Sequence, residues 1–587
     1  MRSIVVLLFL AYAVAAQAQP VIATHPQGQS DISGATITLS VSATGSPLQY
    51  QWRQDAVPLT GATNSTIVIS NFGNLSVGSY DVVASNISGS VTSDVAGLTL
   101  EGGYMFTTIA GLATNFGSFD GVGSSARFAS FRGVAVDAAK NIYVADAAMH
   151  TIRKISSAGV VSTLAGLAGK TGSSDGTNSN ARFNRPSGVA VDSVGNVYVA
   201  DFVNQTIRRV TSEGVVTTLA GKAGTSGGLD GTGTNATFVL PNGLALDLVG
   251  NLYVAESGGT APKPFRKVMT NGVVSTLTNT FSSTQFAGLV VDGGSNIFAV
   301  QETSPSRVWR IAATGTASVF AGAVSGYSDG LRTNAQFSGA WGITLDGENN
   351  LILADRLSNT IRKITTNGVV STLGGLGGSS GSADGEGSVA RFNSPWSVAV
   401  DSAGALYVAD GNGTIRKGIR YTGAPFISTQ PLCQAVAPGS SVTFSITVTS
   451  AAPASCQWQF QGTDIPGETN TSLTLTNVQL GNVGNYRAFV TNALGSDASV
   501  FASLGILGQP VSFLNGPENI QYAADGLHLQ LSGLVGQGQI IVYASTNLTA
   551  WDAIYTNYAG FGSLGFTDPG ATNFPQRFYR ASVSGAP

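Results

Sequence analysis

Charge is scarce in this chain. Of its 587 residues only 10% are Asp, Glu, Lys or Arg, against roughly 25% in an average soluble protein. The formal net charge is −3 and no cluster of Lys and Arg occurs, so nucleic-acid binding has no electrostatic support. Cysteine is nearly missing: the two present make disulfides a minor staple at most. The three histidines, His25, His150 and His528, fall in three different parts of the chain. A His-based zinc site needs ligands that converge within one unit, so none is expected. No G-x-S-x-G elbow accompanies His150 for a Ser-His-Asp triad. Beyond the first residues, no segment reaches the ~18 consecutive apolar residues of a membrane span.

What is present points to folded β-structure. Hydrophobic residues make up 43% of the chain and alternate regularly, which argues against disorder. Glycine, at 75 residues, is about twice as frequent as usual and signals many turns. The first 18 residues read as a signal peptide: Arg2, an apolar core from Ile4 to Leu10, and Ala16-Gln17-Ala18 before the cleavage point. The expected location is therefore secreted, periplasmic or cell-surface.

A repeat dominates the middle of the chain. GVAVD or a variant ends at Asp137, Asp192, Asp247, Asp292, Asp346 and Asp401, in steps of 55, 55, 45, 54 and 55 residues. Each copy continues with NVYVAD, TIRK and GVVSTLAG or their variants, predicting four short strands per copy. A fixed period with four strands is the signature of a β-propeller. The sixth copy ends at TIRKGIR without its last strand, and YMFTTIAG (104–111) precedes the first copy. That segment is expected to complete the last blade and close the ring. The pattern GVAVDxxGNVYVADxxNxTIRKI resembles the NHL repeat. The resemblance implies a six-bladed propeller that recognises a ligand or partner; some relatives are lyases or hydrolases.

Two further units flank the repeat. Residues 19–102 place Trp52 and Tyr80, and residues 425–507 place Trp458 and Tyr486, where an immunoglobulin-like sandwich has its core tryptophan and tyrosine corner. Apolar residues stand at the disulfide positions: Val41 and Val82 in one, Ile446 and Ala488 in the other. Both resemble cysteine-free immunoglobulin-like modules of exported bacterial proteins. Residues 508–587 form a last strand-rich β-module that resembles one from secreted bacterial proteins, with Trp551 expected in its core. The predicted architecture is all-β: a signal peptide (1–18), a sandwich (19–102), a six-bladed propeller (103–424), a second sandwich (425–507) and the module (508–587).

Several residues are candidates for function. Just ahead of the GVAVD triplet the copies differ, holding Arg132, Ser187, Asn242, Ala287, Trp341 and Trp396. Closure makes the fifth, sixth and first blades neighbours, so Trp341, Trp396 and Arg132 should cluster at one side of the channel mouth. With Asn242 they form a candidate ligand site, since indole faces beside an arginine suit sugar rings or aromatic and peptide ligands. The alternative is that both tryptophans cap the channel as core. A ring of acids ends the second strands (Asp146, Asp201, Glu256, Glu302, Asp355 and Asp410) and could hold Ca²⁺; the competing reading is that they cap turns and pair with the TIRK arginine. Trp309 is read as replacing the Ile of TIRK. The Asp-Gly loops (Asp120, Asp175, Asp230, Asp329 and Asp384) lack calcium-loop spacing and end in a Phe expected to plug between blades. Cys433 and Cys456 form either a disulfide or two separate thiols. No other cofactor is expected. The leading expectation is an exported, non-catalytic binding or adhesion protein for an extracellular carbohydrate or protein ligand. Its rivals are an extracellular lyase or hydrolase using carboxylates at the mouth, and a structural surface or matrix protein.

Overall fold

The computed structural model describes residues 18–587 apart from 33–35, 71–75, 77, 102, 258–264, 279–280, 282–284, 422–423, 451, 508–511, 514–519, 524–525, 536–538, 559–560, 569–570, 572–575 and 585–587. The signal-peptide segment through residue 17 lies outside the described residues. The chain divides into two compact units, one ending at Gly102 and one beginning at Gly103.

In the first unit, Trp52 and Tyr80 are buried with Val41 and Val82. Trp52 pairs with Val82 across neighbouring strands. The Tyr80 hydroxyl donates to the carbonyl of Ser76 at 3.0 Å, a tyrosine corner. Apolar packing thus stands where a disulfide would. The second sandwich repeats this: Trp458 pairs with Ala488, and the Tyr486 hydroxyl donates to the Asn482 carbonyl at 2.7 Å.

The period-2 alternation of the repeats folds into six sheets arranged as a propeller. The second blade shows the pattern. Its strands Pro186–Val191, Val197–Asp201, Thr206–Val210 and Val215–Ala220 lie in order from the channel outward, and a short strand Gly176–Thr177 adds to the outer edge. The fourth blade has four strands without that addition. The sixth is built from both ends of the repeat region: Tyr104–Ala110 pairs antiparallel with Thr414–Arg420, Tyr104 opposite Arg420. Closure removes a free sheet edge. Apolar cores lie between blades, as with Val199, Phe183 and Tyr143 between the first and second.

Glycine sets how closely the innermost strands approach. At the GVAVD glycine, a side chain on Gly133, Gly188, Gly243 or Gly288 would meet the backbone of the next blade. Only in the sixth blade does a larger residue, Ser397, hold this position, and its Cα lies against Gly342. The last module comprises two sheets around Leu527, Leu529, Leu531, Ile540, Val542 and Phe566. Trp551, expected in that core, is instead half-buried at its edge, with the Arg580 guanidinium 4.6 Å from its ring centre.

The glycine constraint is testable. Gly188→Ala should destabilise the propeller by about 1–3 kcal/mol through overpacking. Gly228→Ala is the control, since nothing lies within 4 Å of its added carbon. Equal denaturation midpoints for the two variants would contradict close packing at the channel.

Candidate functional site

The acids of the repeat are committed to structure. In five blades the first arginine of the third strand is fully buried and held by two carboxylates. Arg208 lies 2.7 Å from loop Asp175 and 2.9 Å from Asp201. Arg153 (Asp120, Asp146), Arg266 (Asp230, Glu256), Arg362 (Asp329, Asp355) and Arg416 (Asp384, Asp410) do the same. The loop phenylalanine completes the clamp: the guanidinium of Arg208 lies 5.2 Å from the Phe183 ring centre, with Phe128, Phe238, Phe337 and Phe392 in the same role. The loop aspartate also fixes the outer strand. Asp175 accepts the N–H and the hydroxyl of Thr218, and in the sixth blade Asp384 does this for Thr108 of the closing strand. The GVAVD aspartates cap turns; Asp192 accepts the backbone N–H of Asn196 at 2.8 Å. Among the described residues no group of three His, Cys, Asp or Glu is placed to hold a metal ion.

Blade four departs from this scheme, and the one-residue register matters. Gln301, not Glu302, pairs opposite Phe286 as Asp146 pairs opposite Phe131. Trp309 stands at the arginine position, not that of the Ile, and its indole N–H donates to the Gln301 side-chain oxygen at 2.9 Å. A neutral hydrogen bond replaces the ionic clamp. Glu302 moves one residue on, toward the channel mouth.

Arg132, Trp341 and Trp396 do come together there. The two indoles meet edge to face, with ring centres 4.9 Å apart. The Arg132 guanidinium lies 5.1 Å from the Trp341 ring centre, 5.3 Å from that of Trp396 and 5.5 Å from Phe202. Arg356 lies 3.9 Å from the centre of Trp396. Trp341 is 7% exposed, while Trp396, Arg132 and Arg356 are half-buried. Arg132 and Trp341, with the innermost strands, line an open channel cavity of about 230 Å³; Trp396 and Arg356 stand outside its lining. Burial lowers the pKa of Arg132, and the nearby charges of Arg185 and Arg356 lower it further, against the pull of Glu302. Neither Arg132 nor Arg356 forms a side-chain ion pair or hydrogen bond among the described residues.

Asn242 lines the same channel but does not join the cluster. It is 1% exposed, and its amide pairs with the hydroxyls of Ser187 and Ser257. It ties neighbouring blades together. Phe202 and Arg356, which the sequence reading does not single out, and Glu302, which it places among the strand-end acids, belong to a second variable column directly after the second strand: Ala147, Phe202, Ser257, Glu302, Arg356 and Gly411. His150 sits in the adjoining turn, where its Nδ1 accepts the backbone N–H of Arg185 at 3.0 Å. The two cysteines are separate thiols. Cys456 packs in the core of the second sandwich, whereas the Cys433 sulfur accepts the Ser503 N–H and lies 3.3 Å from the carbonyl of Val122 on the propeller.

With this geometry in view, similarity to known proteins can be placed. The NHL repeat family matches residues 183–209, the inner three strands of the second blade, and the immunoglobulin I-set domain matches residues 425–504. The propeller is of the NHL type. No curated protein matches the chain. Among solved structures, a structural genomics protein of unknown function from Bacteroides thetaiotaomicron is 21% identical with a TM-score of 0.45, over 68% of this chain and 98% of that one. A streptogramin B lyase is 12% identical with a TM-score of 0.37, over 54% of this chain and 98% of its own. The virginiamycin B lyase of Staphylococcus aureus is 13% identical with a TM-score of 0.36, over the same shares.

The clamps of the NHL propeller make its stability pH-dependent. Burial pushes the carboxyls of Asp201 and Asp355 up to about 6 and those of Glu256 and Asp410 up to about 7, against the pull of the arginines and backbone N–H groups. Each folded pKa lies above the unfolded value of about 4, so this contribution is complete below about pH 4 and is lost as pH rises through about 6–7. The propeller's melting temperature should therefore fall between about pH 5 and about pH 8. A rise over that range would show that these carboxyls stay ionised in the fold.

Proposed function

We propose that the chain is an exported, non-catalytic binding protein whose propeller recognises an extracellular carbohydrate or protein ligand at the channel mouth, with the sandwiches as spacers. One observation carries this reading. The column that faces the mouth breaks the repeat, placing Arg132, Trp341 and Trp396 in contact, with Arg132 and Trp341 lining a channel cavity of about 230 Å³. Five of the six blades keep the same buried clamp, so variation gathers where loops and strand ends meet on a rigid scaffold, the usual place for recognition. Fold alone does not assign activity. Of the acids at the ends of the second strands, on which a lyase or hydrolase would draw, Asp146, Asp201, Glu256, Asp355 and Asp410 are paired with core arginines. Export rests on the leader-like segment around Arg2, Ile4–Leu10 and Ala16-Gln17-Ala18. No helix among the described residues is long and apolar enough to cross a membrane.

Tryptophan fluorescence of the full chain, titrated with neutral and acidic oligosaccharides and peptides, tests the reading. A saturable change is expected with at least one class of probe. Trp396→Ala should weaken it by about tenfold or more with the melting temperature retained, while Trp551→Ala should not. Silence across the panel, or binding untouched by Trp396→Ala, would overturn the proposal.

A further inference from the structure

We infer that the mouth receives the carboxylate of an acidic sugar, held between Arg132 and Arg356. The inference rests on the binding reading above and specifies its ligand.

Elsewhere in this molecule a buried guanidinium is neutralised: each of the five clamp arginines has two carboxylates within 4.0 Å. Half-buried arginines elsewhere bond to other oxygens: Arg53 to Asp81 at 2.7 Å, Arg127 to the carbonyls of Ser124 and Ala126, and Arg487 to the side-chain oxygen of Gln459. Arg132 and Arg356 have no such partner among the described residues. Both are half-buried, both act on Glu302, and neither has a carboxylate in contact. Holding two guanidiniums together at partial burial costs desolvation and repulsion that an anion from outside would relieve.

The aromatic groups serve this arrangement. A guanidinium already lies over Trp341 and Trp396, at 5.1 and 3.9 Å from the ring centres. The indoles therefore hold the arginines through cation–π contact rather than offering free faces for a sugar to stack on. What remains for a ligand is the N–H fork of each guanidinium, which suits a carboxylate.

The channel favours a sugar over other carriers of that group. Innermost strands are paired on their outer side only, so backbone N–H and C=O groups line the wall, and hydroxyls can both donate to and accept from them. The cavity of about 230 Å³ is smaller than the roughly 300–1,000 Å³ of a drug-sized site, and takes one ring with the rest of a chain outside. A long polyanion such as nucleic acid is disfavoured by the net charge of −3 and the lack of a basic surface.

Calorimetric titration of the full chain with short oligomers of galacturonate, mannuronate and glucuronate, each beside its neutral methyl ester, tests the inference. At least one acid oligomer should bind, its ester about tenfold or more weaker, with affinity falling as salt is raised. Arg132→Gln and Arg356→Gln should each weaken the acid oligomer by a similar factor at an unchanged melting temperature. Equal binding of acid and ester would overturn the inference and leave recognition at the mouth standing. Binding of polyglutamate or single-stranded RNA in place of every uronate would overturn the sugar assignment. Silence of the uronates together with the neutral panel would overturn both readings.

Discussion

A buried guanidinium between two carboxylates organises this propeller. The arginine comes from the third strand of a blade, one acid from the end of the second, and the other from the loop that reaches the blade's outer edge. For Arg208 these are Asp201 and Asp175. A single ion cluster thus fixes strand order, loop path and the position of the interblade phenylalanine. Taking charges out of water is costly, and removing one member of such a cluster leaves the others uncompensated. The few charged residues of this chain are therefore concentrated where the repeat needs them, and its low charge content belongs with its architecture.

The second constraint acts at the axis. Glycines on the innermost strands let neighbouring blades approach backbone to backbone, which narrows the channel. With clamp and glycine fixed, the residue before each glycine and the residue after each second-strand acid are free to differ. On the side of blades two to four they hold Ser187, Asn242 and Ser257, which bond one another. On the other side they hold Arg132, Arg356, Trp341 and Trp396, which satisfy each other through aromatic contact but not through charge.

Much of this was legible in the sequence. The 55-residue step located the strands, and the missing last strand of copy six pointed to the closing segment at 104–111. Trp52, Tyr80, Trp458 and Tyr486 marked the sandwiches without a disulfide to help. The mouth trio was readable because closure makes the fifth, sixth and first blades neighbours. Blade four was not, because its insert-free spacing hides a one-residue slip: Glu302 was aligned with the acids, and Trp309 with an isoleucine. That slip also concealed the second variable column, and with it Arg356 and Phe202. For Asn242 the sequence shows a polar residue at the channel but not the serine hydroxyls that bond its amide. The clamp role of the loop aspartates is hidden in the sequence because their arginine partners lie 32 to 36 residues away.

Repeated charges paired with carboxylates hold the fold, whereas Arg132 and Arg356 contact aromatic rings without a carboxylate partner. The same substitution at one residue of each kind separates the two most directly. Unfolding of the full chain should be followed for Arg208→Met and Arg132→Met without any ligand. The account predicts that Arg208→Met loses about 3–5 kcal/mol from the propeller transition, whereas Arg132→Met leaves it unchanged or raises it. Comparable losses in the two variants would make Arg132 another structural clamp and contradict the separation of scaffold from site.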